Sequence, residues 1–138
     1  MGRVLLAEQV DVLREALAAF LTAADQPYSV GEARNSAELL QMARHGQPWD
    51  VILLDSGLAR PRSLELLQLL GDTCPAVPVI MILPGAGPAV VQLCVRTGAA
   101  GCLDQDVVLC EVSEAIEQVL HGHTYFSPSL LGASLQPA

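Results

Sequence analysis

The sequence contains no lysine. Its seven cationic side chains are all arginines, set against 15 Asp and Glu for a formal net charge of −8. An acidic chain with scattered arginines is a poor nucleic-acid binder by itself, so any DNA contact has to come from another domain or chain. No apolar run approaches the ~20 residues of a membrane span, and no membrane partner is expected. No signal-peptide layout precedes the first strand-like run, so a cytoplasmic location is expected. No C-x-x-C pair links the four cysteines, Cys74, Cys94, Cys102 and Cys110. They read as small buried hydrophobes in a reducing compartment; zinc at Cys94, Cys102 and Cys110 lacks the spacing such sites use. No glycine follows the first strand in Glu8-Gln9-Val10-Asp11, which argues against a phosphate loop or a dinucleotide site. No G-x-S-x-G elbow is present either. His121 and His123 flank the helix-ending Gly122, where a favourable dipole contact is a simpler account than acid–base chemistry. The chain therefore reads as a protein that is not an enzyme.

What is present is apolar and periodic. Hydrophobic residues make up 51% of 138 residues, enough for one domain with a real core. The run Val51-Ile52-Leu53-Leu54 leads straight into Asp55. A short continuous apolar run reads as a strand buried on both faces, and a carboxylate marks where it leaves the dry core. Asp55 should therefore stand at the carboxyl edge of a central strand, where open α/β sheets gather ligands and chemistry.

Similar runs occur at 3–7, 28–33, 79–83 and 101–103. Helical spacing separates them. Val10, Leu13, Leu17, Phe20 and Leu21 form one stripe, with Asp11 as its N-cap and Pro27 as the break. Asn35-Ser36 with Glu38 begins a second helix, which 46–48 ends. Trp49, beside a strand start, reads as packing. A loop over 57–62 precedes a third helix capped by Ser63. Pro88 starts a fourth running to Arg96. The fifth covers about 109–121, with Val112, Ala115, Ile116, Val119 and Leu120 inward. From His123 on, including Ser127-Pro128 and Gln136-Pro137, the chain reads as a linker rather than core. The expectation is an α/β doubly wound, three-layer domain over 1–122, with a five-stranded parallel sheet and five helices, then a tail over 123–138.

This layout resembles the CheY-like receiver domain of bacterial response regulators, nearest the NarL/FixJ type. The segments carrying the resemblance are VILLD at 51–55, RTGAAGCL at 96–103, EAIEQVLHG at 114–122 and YFSP at 125–128. The resemblance implies that Asp55 stands where the family accepts a phosphoryl group, and that the tail leads toward a helix-turn-helix DNA-binding domain. It also implies a degenerate pocket. The family's two acids fall on Glu8 and Gln9, its hydroxyl on Leu83, its switch aromatic on Cys102 and its lysine on Gln105. Mg²⁺ prefers carboxylates in octahedral geometry, so binding at Glu8 and Asp55 is expected to be weak or absent. Arg60 and Arg62 bring two cations near the pocket.

Between Ala89 and Val95 every residue but Gln92 is apolar. A helix apolar nearly all round cannot bury every face against one sheet. The excess is expected at Val91, Leu93 and Val95, which with Cys102 would form a homodimer or partner surface. Three functions follow: a phosphorylation-independent signalling module working by protein contact, a weak phosphoacceptor at Asp55, or a small-molecule sensor using the apolar pocket around Leu83 and Cys102.

Overall fold

The computed structural model describes residues 2–23, 25, 28–45, 48–85 and 87–132. Pro27, Gly46 and Gln136-Pro137 lie outside them. The strands are β1 (Gly2–Ala7), β2 (Tyr28–Ala33), β3 (Val51–Asp55), β4 (Val79–Leu83), β5 (Gly101–Asp104) and β6 (Tyr125–Phe126). The helices are α1 (Asp11–Leu21), α2 (Ser36–His45), α3 (Ser63–Thr73), α4 (Pro88–Arg96) and α5 (Val108–Leu120). One-turn 3-10 helices follow β3 at Ser56–Ala59 and β5 at Gln105–Val107.

All strand pairs are parallel, in the order β2-β1-β3-β4-β5-β6. Side chains alternate between two cores, as the period of two requires. Leu5, Ile52, Leu54, Met81, Leu83 and Cys102 pack with α2, α3 and α4. Val4, Leu6, Leu53, Ile80, Ile82 and Leu103 pack with α1 and α5. β3 and β4 are buried along their whole length, which is why both read as unbroken apolar runs.

The sheet has six strands, where the sequence suggests five. The difference lies in the supposed linker. Tyr125 and Phe126 pair with Gly101 and Cys102, and both Ser127 and Leu130 are fully buried. A polar clasp holds this segment. Ser127 Oγ accepts the Asp104 N–H at 2.9 Å and donates to Glu111 Oε1 at 2.6 Å. Tyr125 and Ser129 donate to Glu111 and Asp104 at 3.1 and 2.6 Å. Gly101 permits the close approach, since a Cβ there would meet the Tyr125 carbonyl oxygen at 2.7 Å.

Two caps also differ. Val10 and Arg62 occupy the N-cap positions of α1 and α3, and neither makes a side-chain cap bond. Asp11 is instead the first helical residue and pairs with Arg14 at 2.7 Å. The Ser63 hydroxyl reaches back to the Ser56 carbonyl. Trp49 is packing, as its position suggests: its ring N–H donates to the Met42 carbonyl at 3.0 Å and its face lies 5.0 Å under Arg3. No helix among the described residues is long and apolar enough to cross a membrane.

Candidate functional site

β1 and β3 are neighbours in register, with Ala7 opposite Leu54. The next residues, Glu8 and Asp55, therefore emerge together at the carboxyl edge of the sheet. Both are buried, at 1% and 7% exposure. Glu8 Oε2 accepts the Val10 N–H at 3.2 Å, while Oε1 is buried with no donor facing it. Asp55 Oδ1 accepts the Gly57 N–H at 3.1 Å. Burial first, and then the hydrogen bond with Asp55, pushes the Glu8 carboxyl up to about 8. Glu8 therefore binds its proton more tightly than an ordinary carboxyl does. That proton is the donor that two adjoining carboxylates otherwise lack.

Three more groups bear on this edge. The point where a Gly57 Cβ would lie is 2.8 Å from Gln9 Nε2, 3.4 Å from Asp55 Oδ2 and 3.7 Å from Arg60 Nη2. Gln9 and Arg60 thus converge with Asp55 on one spot. Arg62 does not join them; it pairs with Glu65 at 3.3 Å. The reason is local, since three residues along a helix start put those two side chains on one face.

Arg14 completes the edge, and sequence reasoning missed it. It is buried, and donates to the Glu8 carbonyl at 3.0 Å, to Asp11 at 2.7 Å and to Glu32 at 3.2 Å. It fixes the backbone of Glu8 while its charge is matched by Asp11 and Glu32 rather than by the pocket acids. The available signal was its spacing with Leu17 and Leu21, which puts an arginine on the inward stripe of α1.

The other half of the edge is apolar. Leu83, at 3% exposure, pairs with Asp104 across β4 and β5. It lines a cavity of about 240 Å³ with Leu64, Met81, Val90, Leu93 and Cys94. Cys102 is fully buried in the same core, and half-buried Gln105 opens the turn after β5. The structure therefore brings Glu8, Gln9, Asp55 and Arg60 together, and puts Leu83 and Cys102 in the core beneath α4.

These residues do not make a good fit to Mg²⁺. The edge offers two carboxylates beside a neutral amide and a guanidinium; hard divalent cations take several charged oxygen donors, and a guanidinium at the same spot repels them. Among the described residues no cluster of three or more His, Cys, Asp or Glu could hold a metal. Cys110 is exposed on α5, across the sheet from Cys94 and Cys102, so the three cannot share a zinc ion.

The α4 surface also differs from expectation. Val91 is 5% exposed and Cys102 is enclosed, so neither is available to a partner. Val90, Leu93 and Val95 are exposed at 41%, 48% and 42%. Helical spacing puts Val90 and Leu93 on the cavity flank of α4 and Val95 on the opposite flank.

A doubly wound parallel sheet with a buried acid at the tip of its third strand defines a receiver-type α/β domain. Residues 4–117 match the response regulator receiver domain, and the chain belongs to that family. It is 30% identical over 142 residues to the response regulator GacA of Pseudomonas protegens, covering 100% of this chain and 66% of that one. It is 25% identical over 135 residues to the transcriptional regulatory protein LnrK of Bacillus subtilis, covering 98% and 61%. The chain thus spans about three fifths of the length of such curated relatives. Among solved structures, a LuxR-family two-component response regulator from Aurantimonas superposes with a TM-score of 0.84 at 24% identity, over 94% and 92% of the two chains. The receiver domain of NarL from Mycobacterium tuberculosis does so at 0.77 and 25%, over 88% and 98%.

Proposed function

We propose that this receiver domain signals by protein–protein contact without phosphorylation of Asp55, as part of a longer transcriptional regulator whose DNA contact is made by another domain. The observation that carries this is the apolar end of β4, where buried Leu83 stands on the same sheet edge as Asp55 and offers no donor. Phosphoryl transfer rests on positioning and on neutralising charge at the transferred oxygens. Here Leu83 has no hydroxyl to donate, and a buried oxygen left unpartnered costs about 1–3 kcal/mol. Gln105 offers neutral hydrogen bonds about half as strong as a lysine's. Together these losses amount to on the order of a hundredfold or more in rate. The contact surface is α4, with exposed Leu93 as its main apolar contribution to a homodimer or partner interface and Val95 on the opposite flank outside that face.

Incubation with acetyl phosphate and Mg²⁺, followed by intact mass, tests the first claim. The expected result is an unchanged mass; stoichiometric phosphate at Asp55 overturns it. Because Val91 is part of the core, Leu93→Asp is the clean test of the surface. It should shrink the species seen by light scattering, and a variant as large as the parent refutes this face.

A conventional phosphoacceptor reading rests on Arg60, whose guanidinium lies near Asp55 and could replace part of the missing charge. It predicts partial phosphorylation in the same assay, abolished by Arg60→Ala. A sensing role rests on the cavity beside Leu83; absence of thermal stabilisation across a set of small apolar compounds counts against it.

A further inference from the structure

We propose that the cavity between α3 and α4 binds a compact, uncharged ring compound bearing a hydroxyl, of the phenol class, with the Ser56 hydroxyl as its hydrogen-bond partner. This rests on the sensing reading and deepens it, by naming the ligand class and the polar group that selects it. The cavity holds about 240 Å³ at the carboxyl end of β4. An apolar space of about 150 Å³ already takes a benzene ring, so this one has room for a substituted ring. No described residue of its lining is charged. A carboxylate, phosphate or amine would enter with its charge unmatched, and the complement of this lining is a neutral molecule.

Ser56 and Ser63 interrupt the apolar wall, and their hydroxyls are not equivalent. The Ser63 hydroxyl is spent on the Ser56 carbonyl. The Ser56 hydroxyl makes no hydrogen bond among the described residues, although the residue is only 9% exposed. A buried hydroxyl without a partner is costly, and a ligand oxygen that meets it recovers that cost. Water is a poor substitute, because a bound water wants roughly two to four polar partners and this lining offers little beyond the one hydroxyl. α4 supplies the way in. Val90 and Leu93 line the cavity and are also 41% and 48% exposed, so a ligand enters between them without disturbing the sheet. Its ring then lies against the flank of α4 that carries the proposed contact surface.

The test is titration of the whole chain with p-cresol, toluene and p-toluate, followed through the methyl resonances of leucine and valine. p-Cresol should give saturable shifts at Leu64, Leu83, Val90 and Leu93 and bind about tenfold more tightly than toluene, while the charged p-toluate should not bind. Ser56→Ala should bring p-cresol down to the affinity of toluene and leave toluene unchanged. That hydroxyl supports nothing else in the fold, so the variant's own Tm should not fall; a fall would give the hydroxyl a structural role and overturn its assignment to a ligand. Val90→Trp, which fills the mouth of the cavity from an exposed position, should abolish binding of both neutral compounds. Equal affinity for p-cresol and toluene, or a Ser56→Ala variant that binds p-cresol like the parent, overturns the proposal and leaves the sensing reading standing. Absence of saturable shifts at those residues with all of the probes overturns both.

Discussion

The carboxyl edge of this sheet has two halves that have gone different ways. At β1 and β3 it remains polar: Glu8, Asp55, Gln9 and Arg60 face one another, and Arg14 holds the backbone beneath them. At β4 and β5 it is apolar and sulfur-bearing, with Leu83, Met81 and Cys94 around a cavity and Cys102 behind it. A phosphoryl site needs both halves at once, because the acid accepts the group and the far side must complement its oxygens. Retention of the acid alone thus says little about whether the site works. Asp55 is also the partner that helps raise the Glu8 carboxyl.

The polar half is most sensitive at Glu8. Its folded value of about 8 lies above the ordinary carboxylate value, so the fold binds its proton more tightly than the unfolded chain does. The stability this contributes is complete below about pH 4.5 and is lost as pH rises through about 8. Glu8→Gln keeps a donor and removes the titration. The variant should match the parent near pH 5 and exceed it above pH 8, by on the order of a few kcal/mol, in chemical denaturation series across that range. Parallel curves at every pH would mean the pair is not there.

On the other half, Gly101→Ala forces a Cβ against the Tyr125 carbonyl, a backbone atom that cannot step aside. A loss of about 1–3 kcal/mol is expected, with faster amide exchange at Phe126 and Ser127. Ser127→Ala leaves the Asp104 N–H and the Glu111 carboxylate short of a partner, and should cost about 1–2 kcal/mol in thermal or urea unfolding. The smallest effect belongs to Gly57→Ala. The close atom there is the end of an exposed Gln9 side chain, which can swing away, so a change within about 0.5 kcal/mol is expected by the same measurement.

Most of the architecture was legible because parallel strands buried on both faces leave unbroken apolar runs. β2, β3 and β4 fall on the residues that the pattern marks. β6 was not, because two residues carry no periodicity and its anchor, Ser127, is a polar side chain buried only because two partners satisfy it. The phase of α4 was also hidden. An apolar residue at nearly every position announces a helix but not which face turns inward, and packing under β4 and β5 decided for Val91 over Leu93. In the pocket, the acid pair, Gln9 and Arg60 could be anticipated from the strand ends. Arg62 could not be separated from Arg60 until Glu65 was seen to take it, and Arg14 escaped because an arginine facing the core reads as an interruption.

The clasp around β6 also has a mechanical meaning. Residues 125–130 are moored to the outer rim of the sheet rather than hanging from the end of α5. A torque applied there is delivered to Asp104 and Glu111, one on the last core strand and one on the last helix, before it can be dissipated as slack. A displacement of α5 or β5 therefore cannot leave this segment behind without breaking the hydrogen bonds to Asp104 and Glu111.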